Sequence, residues 1–181
     1  MAMTGRTPGT TTRPRTTAVL MAFVCLLVIP AAPGRAVVDV DRADLVVVRK
    51  AERKLYLMRG GEVLRTFRIA LGLSPEGHKV REGDFRTPEG RYTLTERNPD
   101  SDYFLSIRIS YPNDADLQRA RRSRVAPGGA VMIHGLPNRP SHSPEYYRRA
   151  DWTNGCIAVS NSDMVDIWLM TTVSTPIEIL P

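Results

Sequence analysis

The feature that most constrains the fold is a succession of short apolar runs separated by turns that contain glycine or proline. Residues 45–48 (LVVV) and 55–58 (LYLM) are two such runs, and the segment RGGE at 59–62 predicts a hairpin to a returning strand at 63–70. The segment TPEG at 87–90 predicts another turn, because proline presets the second turn position and glycine closes it. Further strands are predicted at residues 91–96, 105–109, 131–134, 156–159 and 177–180.

Helical patterns are few and short. Residues 113–122 and 144–149 each predict a short helix, and the clearest helical pattern runs from about 162 to 171. Ser160, followed three residues later by Asp163, resembles a capping box at the start of that helix. Many short strands with few helices predict a mainly β domain, a sandwich or partly open barrel with a few short helices.

The N-terminal 36 residues have the pattern of a secretory signal peptide. Three arginines and no acidic residue precede an apolar run at 18–29, and small residues follow that run. The run has 12 residues, whereas a transmembrane helix needs roughly 20. The sequence therefore predicts a signal peptide at 1–36 and one exported domain at 37–181, in the periplasm or cell envelope. An uncleaved signal anchor is the alternative.

The net charge nearly vanishes once this segment is set aside. The chain has 25 basic and 19 acidic residues, but four of the arginines lie within 1–36, where there is no acid. The remaining 21 basic and 19 acidic residues give a formal charge of only +2. This balance lacks the electrostatic footprint of a nucleic-acid-binding domain, so no nucleic-acid partner is expected.

One cysteine, Cys156, lies in the predicted mature domain, because Cys25 falls within the N-terminal apolar run. A free cysteine is most often a small buried apolar side chain. In an exported protein, however, a cysteine left without a partner indicates an intermolecular link or a reactive thiol. Gly155 precedes Cys156, and an apolar stretch follows Cys156. This context favours a nucleophile.

His134 is the candidate base for that thiol. It ends the predicted strand at 131–134 and is followed by Gly135. If two adjacent strand ends bring the imidazole to Cys156, the imidazole takes the thiol proton and creates an effective nucleophile. Gly155 permits close backbone approach, so we expect N–H groups near Gly155 and Cys156 to hold a developing oxyanion. The predicted chemistry is acyl transfer through a thioester.

His142 is the alternative base, although its segment PSHSP at 140–144 predicts an exposed loop. No metal or cofactor is expected. The three histidines have no i,i+4 helical spacing, and together with one cysteine they do not form a zinc-binding pattern.

The segments around His134 and Cys156 resemble the signature of the YkuD family of L,D-transpeptidases, a His-Gly followed by Ser/Thr-x-Gly-Cys-Ile/Val. The segment KVREGDFRTPEGRY at 79–92 resembles the family's Gly-Asp-x-x-Thr-Pro-x-Gly-x-Tyr segment. The resemblance covers roughly residues 44 to 180, and residues 109–113 and 151–159 are similar to the YafK-like branch. The family fold is mainly β, with cysteine and histidine at one mouth.

The resemblance implies an exported enzyme of peptidoglycan biosynthesis and cell-wall organisation, and hence of cell shape. Cys156 would attack the diaminopimelate carbonyl of a peptidoglycan stem peptide at its L-centre, D-alanine would leave, and an amine would accept the acyl group. His134 would be the general base, and the backbone of Gly155 and Cys156 the oxyanion site. No cofactor is implied.

Two positions depart from the family pattern. Asn154 replaces a histidine common in the family, and Ala158 replaces an arginine associated with a substrate carboxylate. The YafK-like branch includes enzymes that hydrolyse bonds at diaminopimelate, so one alternative is hydrolysis there, including amidase release of a wall-attached protein. A noncatalytic wall-binding module is the other. The arginine-rich segment 119–124 is either a solvated helix face or a contact for acidic wall polymers.

Overall fold

The computed structural model describes residues 41–181, together with residues 1–3, 5 and 9. The apolar core of the predicted signal peptide lies outside the described residues, so export stays a prediction. The described helices and strands all belong to one compact unit, Val38–Pro181.

Eight strands of the described chain form one mixed sheet. In sheet order they run β3-β2-β1-β8-β4-β5-β6-β7. The C-terminal strand β8 lies inside the sheet, parallel to β1 and antiparallel to β4. The predicted fold class, mainly β with a few short helices, is confirmed. The strand bounds are β1 Leu45–Arg49, β2 Lys54–Arg59, β3 Glu62–Arg68, β4 Gly90–Ser101, β5 Phe104–Ile109, β6 Met132–His134, β7 Ile157–Ala158 and β8 Pro176–Leu180.

Alternating side chains build the core at the centre of this sheet. Val46 and Val48 on β1 are fully buried, and Ile177 and Ile179 on β8 are 1% exposed. Successive side chains of a strand point to opposite faces, so each pair shares one buried face. Complete burial of such a side chain contributes about 1.5–3 kcal/mol relative to its exposure. The paired apolar residues therefore explain why the last strand inserts beside the first.

The predicted hairpin at 59–62 is confirmed, with Gly60 and Gly61 as the two residues between β2 and β3. Both have positive φ, +58° and +87°, as two-residue hairpin turns require. The turn predicted at 87–90 is wrong, because this segment leads without a turn into β4. Thr87 is fully buried, its hydroxyl accepts the Gly72 N–H, and its carbonyl accepts Lys50 Nζ. These tertiary contacts override the local turn preference.

The β7 edge of the sheet also contacts the chain that leaves β3. Ala70 and Ala158 exchange two backbone hydrogen bonds of 2.8 and 2.9 Å. Thr153 N–H donates to Leu71 at 3.1 Å, and Leu73 N–H donates to Thr153 at 3.0 Å. The loop between Thr153 and β7 is therefore fixed at both ends, and Cys156 lies within it.

The helices are α1 Asp114–Ser123, α2 Pro144–Arg149 and α3 Asn161–Met170, close to the predicted ranges. As predicted, Ser160 caps α3, and its hydroxyl accepts the Asp163 N–H at 3.1 Å. Met164 and Ile167 of α3 are fully buried in the core. Within the described residues, no helix combines the length and the apolar character needed to cross a membrane.

Candidate active site

Strands β6 and β7 bring His134 and Cys156 to one cavity. The strands are parallel, with Ile133 opposite Ile157 and His134 opposite Ala158. His134 ends β6, and Cys156 directly precedes β7. Both side chains line a cavity of about 250 Å³. The structure thus joins the two predicted site residues, while their roles in catalysis remain predictions.

The environment of His134 fixes its protonation state. Its side chain is almost fully buried, and Nδ1 lies 2.7 Å from the Gly135 carbonyl oxygen. Because a carbonyl only accepts hydrogen bonds, Nδ1 carries the proton and Nε2 is the basic nitrogen. Burial lowers the pKa of His134 to about 4, although the bond to Gly135 opposes the shift. At neutral pH the ring is uncharged and able to accept a proton.

Aromatic rings surround the imidazole of His134. The centroid of Tyr103 lies 4.6 Å from that of His134, and the Trp152 ring meets His134 edge-on at 5.6 Å. Tyr147 packs edge-on against Trp152 at 5.1 Å. The rings hold the imidazole in place and account for its desolvation. The sequence signal for this wall was weak, because aromatic residues at strand ends most often serve packing.

The thiol of Cys156 is half-buried. Its Sγ lies 3.6 Å from the Ala130 carbonyl oxygen. Burial raises the pKa of the Cys156 thiol, whereas a hydrogen bond from the Met132 backbone and the charge of Lys79 lower it. The thiol is therefore protonated at neutral pH, and a neutral imidazole lines the same cavity.

The Thr-x-Gly-Cys segment has a specific internal structure. The Gly155 N–H donates to Thr153 Oγ1 at 3.1 Å, and the Thr153 hydroxyl donates to the Cys156 carbonyl at 2.8 Å. Gly155 has φ +124°, and a Cβ there would lie 2.6 Å from the Arg86 carbonyl oxygen. Only glycine fits this position. The Gly155 N–H already has an acceptor, which differs from the expectation that it faces an oxyanion.

His142, the alternative base, lies outside the cavity that contains the thiol. It is exposed, and its ring packs against Tyr146 with centroids 4.2 Å apart. It lines a separate cavity of about 270 Å³ beside Tyr103 and Trp152. His134 is thus the histidine that shares a cavity with Cys156.

The two positions that depart from the family pattern have different surroundings. Asn154 is exposed and, like Cys156, lines two cavities, the one with His134 and a second of about 310 Å³. Ala158 is buried within β7 and lines a different cavity, of about 200 Å³, together with Arg68 and Arg148. Two arginines therefore line the cavity beside Ala158.

A buried ion pair beside the thiol was not predicted. Lys79 Nζ lies 2.8 Å from Asp84 Oδ1, and both side chains are almost fully buried. Burial alone would raise the pKa of Asp84, but hydrogen bonds from Lys79 and from the backbone of Val80, Arg81 and Arg86 lower it to about 2. Both groups lie in the segment 79–92 that resembles the family pattern, and this was the one sequence signal for them.

A second ion pair holds the start of the loop that leads to Cys156. Arg53 donates from Nε and Nη2 to the Asp151 carboxylate, with a shortest distance of 2.7 Å. Asp151 Oδ1 also accepts the Leu71 N–H at 2.9 Å. Asp151 directly precedes Trp152, so this pair ties the aromatic wall to the β2 side of the sheet.

Comparison with known proteins establishes the family. Residues 43–179 match the family model of YkuD, the L,D-transpeptidase catalytic domain. Because this match covers most of the chain, the chain belongs to the YkuD family of L,D-transpeptidase catalytic domains.

Individual relatives agree with this assignment. The chain is 36% identical over 97 residues to YafK of Escherichia coli (strain K12), which is provisionally named an L,D-transpeptidase. This match covers 50% of this chain and 37% of YafK. The helical cell shape determining protein Pgp2 from Campylobacter jejuni is similar in structure, with a TM-score of 0.55, 26% identity, and coverage of 75% of this chain and 46% of Pgp2. The predicted family and YafK-like branch are confirmed. The chain spans less than half the length of these relatives.

An L,D-transpeptidase from Mycobacterium smegmatis shares the fold at 18% identity, with a TM-score of 0.51. The match covers 76% of this chain and 58% of that one.

Proposed function

We propose that this chain is an exported L,D-transpeptidase in which Cys156 attacks the diaminopimelate carbonyl of a peptidoglycan stem peptide. The observation that carries this proposal is the shared cavity of Cys156 and His134 in a chain of the YkuD family. The signal-peptide pattern at 1–36 supports delivery to the envelope, where this substrate lies.

The first half of the reaction forms a thioester. His134 Nε2 removes the Sγ proton of Cys156, and the sulfur bonds to the carbonyl carbon of diaminopimelate. The oxyanion of the tetrahedral intermediate is held by the Cys156 N–H. When the intermediate collapses, the bond to D-alanine breaks, and the imidazolium returns the proton to the departing amine.

The second half transfers the acyl group. An acceptor amine attacks the thioester and loses a proton to His134, the new amide forms, and the Cys156 thiolate leaves and is reprotonated. Water in place of the amine gives hydrolysis through the same thioester. The Thr153 hydroxyl supports both halves, because it fixes the peptide units on either side of the Gly155–Cys156 bond.

The first test measures acyl-enzyme formation by intact-protein mass spectrometry after incubation with a tetrapeptide donor or a carbapenem. The wild-type protein should gain the mass of the acyl group, and Cys156→Ala should not. His134→Ala should acylate on the order of 10²-fold more slowly, as expected for loss of a general base. His142→Ala is the matched control and should acylate at the wild-type rate. Acylation of Cys156→Ala, or loss of acylation in His142→Ala alone, would refute the assignment.

The second test identifies the acyl acceptor. Purified muropeptides are incubated with the protein, and the products are separated and weighed by mass spectrometry. Cross-linked dimers that depend on Cys156 support transpeptidation. Shortened or detached products without dimers would replace it with hydrolysis, and unchanged muropeptides that bind the protein would indicate a wall-binding module.

A further inference from the structure

Two buried lysines in this protein differ in how their ammonium groups are used. Lys50 is 2% exposed, and Nζ donates to the carbonyls of Gly77 and Thr87 and to the Glu89 carboxylate at 2.7–3.1 Å. These three acceptors match the three donors of an ammonium group. Lys50 is therefore fully committed to holding the chain segments around it.

Lys79 is 4% exposed, but its ammonium group is not fully committed. Within the described residues, Nζ donates to the Arg81 carbonyl at 3.1 Å and to Asp84 at 2.8 Å. One of its three N–H groups is left without an acceptor. Burying a charged group with one donor unpaired costs free energy, because that donor loses its hydrogen bond to water.

Lys79 Nζ lies close to Gly155, the residue that directly precedes Cys156. A Cβ built on Gly155 would lie 3.9 Å from Lys79 Nζ. Lys79 and Cys156 also line the same cavity, the one of about 310 Å³, which His134 does not line. The thiol thus has a neutral base in one cavity and a cation in the other.

Few other ionisable groups face the thiol. His134 and Tyr103 line the first cavity, and Glu82, which is exposed, lines the second. Asp84 is the partner of Lys79 and already accepts from the Val80, Arg81 and Arg86 N–H groups. Lys79 is the charged side chain that acts on the Cys156 thiol, and it favours the thiolate.

We propose that Lys79 stabilises the Cys156 thiolate as His134 removes its proton. The proposal rests on the proposed function, since it assigns Lys79 to the same nucleophile. No bond to Lys79 forms or breaks: its ammonium group stays protonated, and the negative charge on sulfur develops beside it. Lys79 acts through Cys156 and has no contact with the substrate in this role.

The test measures how fast iodoacetamide alkylates Cys156 between pH 7 and 10, with the modified peptide identified by mass spectrometry. Only the thiolate reacts, so the rate follows the thiolate fraction. Lys79→Met, which keeps the length and removes the charge, should slow alkylation at pH 8 and shift the alkylation profile to higher pH, because the charge of Lys79 lowers the pKa of the Cys156 thiol. Lys79→Arg keeps the charge and should restore most of the rate. Lys50→Met, the matched loss of a buried lysine, should leave the rate unchanged.

A purely structural role for Lys79 predicts a different pattern. It predicts equal rates in Lys79→Met and wild type wherever both are folded, or equal losses in the Met and Arg variants, and either result would overturn the proposal. If Lys79→Met does not fold, Asp84→Asn decides. It frees the Lys79 charge and should speed alkylation, whereas a slower rate in a folded Asp84→Asn protein would overturn the proposal.

The alkylation assay is independent of peptidoglycan chemistry. An unshifted alkylation profile in Lys79→Met, with acyl-enzyme still forming in the wild type, would remove the role of Lys79 and leave the proposed function standing. If the alkylation profile shifts in Lys79→Met but the wild-type protein forms no acyl-enzyme, the effect of Lys79 on the thiol is upheld and the proposed function is removed.

Discussion

Acidification from about pH 6.5 to 4 should destabilise the protein through the buried His134. Its pKa is about 4 in the folded protein, against about 6.5 in an unfolded chain. The unfolded state therefore binds the proton more readily, so stability falls as pH decreases through the window from about 6.5 to 4. The shift of about 2.5 units corresponds to about 3 kcal/mol once the pH lies below both pKa values.

The physical cause lies in the packing of the ring. The imidazole is 4% exposed, and Tyr103 and Trp152 offer aromatic carbon rather than solvent. Protonation places a charge on a ring that has little exposure to solvent, whereas Nδ1 keeps its bond to the Gly135 carbonyl. The charged form is therefore disfavoured in the folded state alone.

The assay is urea unfolding followed by tryptophan fluorescence at a series of pH values between 7 and 4.5. Trp152 contacts His134 and reports on this region. Between these pH values, wild type should lose about 2 kcal/mol more unfolding free energy than His134→Phe, which keeps an aromatic ring but does not titrate. Equal losses in the two proteins would refute the argument, because they would assign the pH dependence to other groups.

Two further predictions concern the loop that contains Cys156. Thr153→Val removes the hydroxyl that accepts the Gly155 N–H, and it should slow acyl-enzyme formation roughly 10- to 100-fold by misplacing Cys156. Thr153→Ser, which keeps a hydroxyl, should retain most of the rate. Equal rates in Thr153→Val and wild type would contradict this prediction. Asp151→Ala should cost more unfolding free energy in urea than Asp151→Asn, because it removes an acceptor from the Leu71 N–H as well as the charge opposite Arg53. The charge alone should account for about 1 kcal/mol, and equal costs for the two variants would contradict the role of the Leu71 contact.

Local sequence patterns were sufficient to predict most helices and strands. The hairpin at Gly60 and Gly61 followed from glycine's access to positive φ, which is a property of the residue itself. The order of strands in the sheet did not follow in this way. The place of β8 between β1 and β4 depends on which buried faces fit together, and alternation within one strand does not specify its partner.

For the site, the sequence identified the two candidate catalytic residues but not the residues that support them. Cys156 and His134 stood out because cysteine and histidine are rare in this chain and each lies at a strand end. The role of Thr153 within its segment emerged only from the hydrogen bonds of its hydroxyl to two nearby peptide units, through the Gly155 N–H and the Cys156 carbonyl. Lys79 was hidden among 25 basic residues, since its burial, and not its identity, separates it from the solvated lysines and arginines.

Burial favours the neutral form of both His134 and Cys156, the two partners of the proposed reaction. It lowers the pKa of His134 and raises the pKa of Cys156, so the free protein holds a neutral thiol near a neutral imidazole. Such a thiol is a poor target for oxidants and alkylating agents, which react with the thiolate. The thiolate must then form within the reaction itself, at the moment when His134 takes the proton. A fixed positive charge is most effective at such a step, because it lies in a site shielded from water and needs no reorganisation. The same desolvation that makes the pair neutral therefore gives the buried charge of Lys79 its strongest effect on the rate.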